Sequence, residues 1–168
     1  MPGDCQIVRS ESAPVGVGSR SIQQSLIPMK TILVPVDFSP VTREVVREAT
    51  RLARLIKGRL ILVHSFQMPV VAVEPYGLAP LGNIGEYMAE AGKAADRHLA
   101  RMRAKLRAAG IPTETARTTG LPSYSVLTLA KKRSADYIVI GSHGHTALYD
   151  MFVGSTTRGV LKHASCPV

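Results

Sequence analysis

Residues 31–63, TILVPVDFSPVTREVVREATRLARLIKGRLILV, decide the fold class, because two short apolar runs flank a segment of different period. Ile32-Leu33-Val34-Pro35-Val36 has no polar interruption, as a strand covered on both faces requires. Val45, Val46, Ala49, Leu52, Ala53 and Ile56 then recur at helical spacing, which puts them along one side of a helix. Ser39 is placed to cap that helix with Pro40 at its first position, and Gly58 lies just past its end, where a left-handed backbone is easiest. Leu60-Ile61-Leu62-Val63 begins a second buried strand. Strand, helix, strand in this order implies a right-handed crossover and parallel pairing.

Downstream the alternation continues. Phe66 to Gly85 carries breakers at Pro69, Pro75, Gly77 and Pro80 and is expected to be a long connection. A second helix is expected from Gly85 to Ala109, with Met88, Ala95, Leu99, Met102 and Leu106 on one face and Gly110 as its stop. Thr113 to Thr118 is a polar strand suited to a sheet edge, and Pro122 opens a third helix through Val126, Leu127, Leu129 and Ala130. Tyr137 to Ile140 is the fourth strand, Gly141 to Val153 a loop, Ser155 to Ala164 a short helix, and Cys166-Pro167-Val168 the start of a fifth strand. The expectation is therefore an α/β fold: one open, mostly parallel, five-stranded Rossmann-like sheet with helices on both faces and a truncated last strand. Residues 30–168 form this domain. Residues 1–29, rich in Ser, Gly, Pro and Gln without a sustained period, precede it as a flexible extension.

Composition agrees. The 168 residues suit one domain, and 45% apolar residues with only 5% aromatic and no Trp imply aliphatic packing. Cys5 and Cys166 stand near opposite ends and form no CxxC pair, which fits a reducing compartment. No apolar run approaches the roughly 18 residues of a membrane span, and no basic segment leads an apolar one at the start, so a cytoplasmic protein is expected. The 21 Lys and Arg against 12 acidic residues give a net charge of +9, which raises a polyanionic partner. Arg97, Arg101, Arg103, Lys105 and Arg107 crowd the second helix without aromatic residues between them for stacking on bases, so a solvated face is favoured over a nucleic-acid surface.

In such a sheet, ligands bind where strands end at their carboxyl edge beside a topological switch point, here the loops after Val36 and Ile140. After Ile140 stand Gly141-Ser-His-Gly144, nine further residues, and Gly154-Ser155. Glycines admit a ligand close to backbone N–H groups, and a helix beginning near Ser155 offers unpaired N–H groups and a positive dipole end. Ser155, Thr156 and Thr157 would add hydroxyl donors. Singly, Gly141 and Gly144 shape a turn and Gly154-Ser155 caps a helix; together, after a buried strand, they favour an anion cradle. There is no GxxxxGK[ST] and no GxGxxG.

These residues, with Ile32 to Ser39, Gly120-Leu-Pro122 and the closing Cys166-Pro167-Val168, make the chain from about Met29 to Val168 resemble the universal stress protein family. The glycine spacing is similar to that of its ATP-binding branch. The resemblance implies that Pro35, Val36 and Asp37 edge the adenosine site, with Ser65 beside the base and Ile140 and Gly141 near the ribose. It implies that Gly144, Gly154, Ser155, Thr156 and Thr157 hold the phosphates of ATP, with a divalent ion such as Mg2+ bridging them. An apolar residue usually stands in the family where this chain has Ser65. The family's closing segment leads into a strand that pairs two subunits, and since this sequence stops at Val168 a weakened homodimer is the expectation.

The remaining candidates carry less. Asp37 fits either a helix-start carboxylate or a ligand contact. His143 and His145 stand two apart without a third nearby ligand type, so no metal site is assigned. His64 ends a buried strand, and His98 and His163 are ordinary helix residues. Asp150 and Glu74 are isolated carboxylates, and no serine lies in a GxSxG elbow, so no catalytic residue is named. The expected function is an ATP-binding stress-response sensor or adaptor with a regulatory protein partner. The alternatives are a slow ATPase or phosphotransfer protein on the same cradle, and an interaction module that uses the basic second helix.

Overall fold

A computed structural model describes residues 28–66, 84–142 and 153–168. In chain order the elements are β1 (Thr31–Pro35), α1 (Val41–Ile56), β2 (Arg59–Phe66), α2 (Ile84–Ala108), β3 (Thr113–Thr119), α3 (Pro122–Lys132), β4 (Tyr137–Ile138) and α4 (Ser155–His163). The four strands form one sheet in the order β3-β2-β1-β4, and every pairing is parallel. The direction of strand addition reverses between β1 and β4, which is the switch point. The polar β3 lies at the edge, as its composition implies.

The period of two along each strand divides the core. Ile32, Val34, Leu60 and Leu62 face α1 and α2, where Ala49, Ala53, Leu99 and Leu106 meet them. Leu33, Ile61, Val63 and Ile138 face α3 and α4, where Val126, Ala130 and Val160 meet them. Each buried Leu, Ile or Val side chain contributes roughly 1.5–3 kcal/mol, and both faces of β1 and β2 carry them. This two-sided burial explains the uninterrupted apolar runs. Helix α4 approaches α3 closely because position 159 is glycine: a Cβ there would lie 2.8 Å from the Ser123 Cβ.

Three local expectations are corrected. The left-handed residue after α1 is Lys57 (φ 51°, ψ 41°), not Gly58. Gly58 answers a steric need instead, since a Cβ there would stand 2.8 Å from the Lys30 carbonyl oxygen. At the start of α1, Pro40 occupies the cap position and the buried Ser39 Oγ has no hydrogen-bond partner. The Asp37 carboxylate instead closes the turn that leads into α1, its Oδ1 accepting from Ser39 N and Thr42 Oγ1, both at 3.0 Å.

The sheet has four strands among the described residues, not five, and β4 stops at Ile138 rather than Ile140. Ile138 N donates to the Pro167 carbonyl at 3.0 Å, so the chain end does run beside β4. Proline has no N–H to return, and a single rung does not make a ladder. The extension before residue 28 and the connection over 67–83 lie outside the described residues. No helix among the described residues is long and apolar enough to cross a membrane. On α2, Arg97 pairs with Glu90, and Asp96 with Arg117 of β3.

Candidate functional site

At the carboxyl ends of β1, β2 and β4 lies a cleft of about 380 Å³. The structure brings together Pro35, Val36, Asp37, Ser65, Ile140, Gly141, Gly154, Ser155, Thr156 and Thr157 around it. Gly144 lies outside the described residues, as do His143, His145, Asp150 and Glu74. The lining also includes Ser39, Val41, Thr42 and Val45 at the start of α1, Val63 of β2, Pro122 and Val126 of α3, and Ser142. Of these additions, Pro122, Ser39 and Ser142 stand in the Gly120-Leu-Pro122, Ile32 to Ser39 and Gly141-Ser-His-Gly144 motifs, whereas Val41, Thr42, Val45, Val63 and Val126 enter only through the packing of α1, β2 and α3.

The polar end of the cleft is built by α4. Gly154 N donates to the Ser142 carbonyl at 2.8 Å, which joins the two ends of the 143–152 segment. The first bond of the helix runs from Arg158 N to the Gly154 carbonyl at 2.9 Å, and the cap residue has no side chain to serve the first turn. The N–H groups of Ser155, Thr156 and Thr157 therefore have no partner among the described residues and lie at the positive end of the helix dipole. Thr157 adds no hydroxyl proton, because its Oγ1 donates to the Gly141 carbonyl at 2.6 Å. Gly154 itself has φ −56° and ψ 150°, a backbone open to any residue. Of the described atoms, a Cβ there would come nearest the Ser142 oxygen, at 3.5 Å.

The rest of the lining sets the aliphatic Val36, Val41, Val45, Val63, Val126 and Ile140 beside the polar Asp37, Ser39, Thr42 and Ser65. Asp37 is the one charged residue of the described lining, and no Lys or Arg belongs to it. Ser65 Oγ donates to the Gly120 carbonyl at 3.2 Å. Phe38 follows Asp37 with φ 62°, a left-handed conformation uncommon for a bulky side chain. Its ring stacks on His64 with centroids 4.4 Å apart and lies 5.1 Å from the His98 ring. Sequence alone gave His64 no role beyond ending a strand. No group of three or more metal-ligating side chains occurs among the described residues.

The arrangement can hold an elongated ligand with an apolar body and an anionic end. Comparison with known proteins gives this geometry a context. The chain is 31% identical over 143 residues to universal stress protein MJ0531 of Methanocaldococcus jannaschii, an alignment covering 83% of this chain and 79% of that one. The fold matches MJ0577 of the same organism with a TM-score of 0.70 at 25% identity, covering 83% and 92% of the two chains. It also matches the universal stress protein of Archaeoglobus fulgidus in complex with dAMP, with a TM-score of 0.56 at 25% identity and coverage of 85% and 97%. With the model of the universal stress protein family matching residues 28–168, the whole described domain is accounted for, and the chain belongs to that family.

Proposed function

We propose that this chain binds an adenine nucleotide, ATP with Mg2+, in the cleft at the carboxyl ends of β1 and β4, and acts in a stress response as a sensor or adaptor. One observation carries the proposal: at the start of α4, which has no side-chain cap, three N–H groups without a partner among the described residues open on a cleft whose lining is rich in aliphatic side chains. That pairing suits a phosphate chain at one end and a base at the other. The dAMP complex of the Archaeoglobus fulgidus relative supports an adenine nucleotide in this fold. In this assignment Pro35, Val36, Asp37 and Ser65 flank the base and ribose together with Ile140 and Gly141. Gly144, Gly154, Ser155, Thr156 and Thr157 surround the phosphates, and Mg2+ when bound would neutralise phosphate charge that no lysine or arginine of the described lining meets.

Binding rather than turnover is the proposed role, since the single carboxylate of the described lining, Asp37, already accepts two bonds at the start of α1. Nucleotide occupancy would favour one conformation of the protein, which a regulatory protein or a second subunit then distinguishes. Titration calorimetry with MgATP and MgADP, together with mass spectrometry of nucleotide retained through native purification, tests the proposal. Saturable binding is expected. Absence of both heat and thermal shift at millimolar MgATP refutes it.

A further inference from the structure

Along β2 the backbone groups alternate between its two neighbours. Leu60 N donates to Pro112 and the Phe66 carbonyl accepts from Gly120 N, both on the β3 side. Arg59 N donates to Lys30, and the Val63 carbonyl accepts from Val36 N, both on the β1 side. Odd-numbered residues of β2 thus face β1, and Ser65 is the next of them. Its natural partner in a continuing parallel ladder is the Val36 carbonyl. That carbonyl lies instead 2.8 Å from the His64 Nδ1, and no backbone N–H donates to it among the described residues. The side chain of His64 has replaced the next rung. The ladder ends one step early, and the Ser65 peptide is left facing the cleft that Val36 and Ser65 both line.

We propose that His64 is a positioning residue of the cleft: by taking the Val36 carbonyl with its Nδ1–H, it keeps β1 and β2 from closing one further rung across the space beside Ser65. The stack with Phe38 holds the imidazole in place, and the left-handed φ of Phe38 breaks the extended course of the chain two residues after Val36. Without the imidazole donor, the Ser65 N–H is the group best placed to satisfy the Val36 carbonyl, and the strands would zip shut there. The effect on ligand affinity rests on the nucleotide assignment above; the backbone effect does not.

Two substitutions separate the donor from the ring. His64→Phe keeps an aromatic ring against Phe38 and removes the donor; His64→Asn removes the ring and places an amide N–H near the position of Nδ1. Amide hydrogen exchange read by NMR on the unliganded protein is the first measurement. The Ser65 amide is expected to exchange rapidly in the wild type and in His64→Asn and to become protected in His64→Phe, whereas general damage to the fold would speed exchange. MgATP affinity is the second, expected to fall about tenfold or more in His64→Phe and to stay within about threefold of wild type in His64→Asn. His64→Leu, a second donorless variant, is read in the same way if His64→Phe fails to fold. A protected Ser65 amide in the wild type, or no added protection in either donorless variant, overturns the proposal. If the wild type binds no adenine nucleotide while the exchange pattern appears as expected, the functional assignment falls and the role of His64 in the ladder stands.

Discussion

The Thr157 hydroxyl donates to the Gly141 carbonyl at 2.6 Å and so ties the first turn of α4 to the segment leaving β4. Thr157 is 8% exposed, so the bond is largely sheltered from water. Thr157→Val preserves shape and leaves the carbonyl without its partner, which is expected to lower stability by about 1–3 kcal/mol. Thr157→Ser keeps the hydroxyl and loses one methyl, about 0.8 kcal/mol. Urea unfolding of the two variants should show the valine protein as the weaker. The reverse order would mean that packing, not the hydrogen bond, holds α4 to the sheet.

Gly154 caps α4 without a side chain, in a backbone conformation any residue adopts. Gly154→Asp should therefore do two opposite things. Its carboxylate can accept from the N–H groups of the first turn and meets the positive end of the helix, raising stability by about 0.3–1 kcal/mol. The same carboxylate occupies the proposed phosphate donors and repels the phosphates, so MgATP affinity should collapse. Thermal melts and calorimetry on one preparation decide the matter: a stabilised protein that still binds MgATP normally would move the phosphate site away from α4.

At the opposite end of the sheet, Asp136 accepts from Lys30 Nζ at 2.7 Å and from Thr31 N at 2.8 Å. The hydrogen bond from Lys30, then that from the Thr31 amide, holds its carboxyl below the usual aspartate value. A carboxylate depressed in the folded state contributes stability above its unfolded value, near pH 4, and loses it as pH falls through the lower folded value. Melting temperatures measured from pH 7 to pH 2.5 should fall more steeply in acid for the wild type than for Asp136→Asn, which has no proton to gain. Parallel curves would show that this pair does not contribute to acid sensitivity.

The parts of the fold legible in the sequence are those dictated by burial. Leu60 to Val63 read as a strand because Ile61 and Leu62 meet different helix layers and neither can be polar. Thr113 to Thr118 read as an edge because its residues are polar, and among the described residues β2 alone pairs with this strand. What escaped depends on geometry between distant residues. Gly58 looked like a left-handed cap, yet its requirement comes from the Lys30 carbonyl, contributed by the adjacent strand. Ser39 looked like the cap of α1, but Pro40 takes that position and the Ser39 amide instead donates to the Asp37 carboxylate two residues earlier. That Gly141, Gly154 and Ser155 line one cleft was legible because a glycine loop after a buried strand and the helix start that follows are both encoded locally. His64 was not, since its position opposite Val36 follows from the register of β1 on β2.

The charge of the chain and the charge of the cleft point in different directions, and this yields the last prediction. The net charge is +9, yet the described lining contains no Lys or Arg, and neither do the sequences of 67–83 and 143–152. Arg158, on the first turn of α4, turns its guanidinium toward the Val153 carbonyl at 3.3 Å. In the proposed site, phosphate binding would then rest on backbone N–H groups and the helix dipole, with Mg2+ to supply the positive charge. Fixed dipoles close to the ligand are screened less by salt than side-chain charges exposed to solvent. Raising NaCl from about 50 to 500 mM should accordingly change MgATP affinity by less than about threefold, whereas polyanion binding through exposed Lys and Arg falls by orders of magnitude over a comparable range. Removing Mg2+ with EDTA should weaken ATP about tenfold or more, and should affect adenosine, which has no phosphate, hardly at all. A steep salt dependence with no response to EDTA would instead place ATP on the basic surface of α2 and leave the cleft without a nucleotide role.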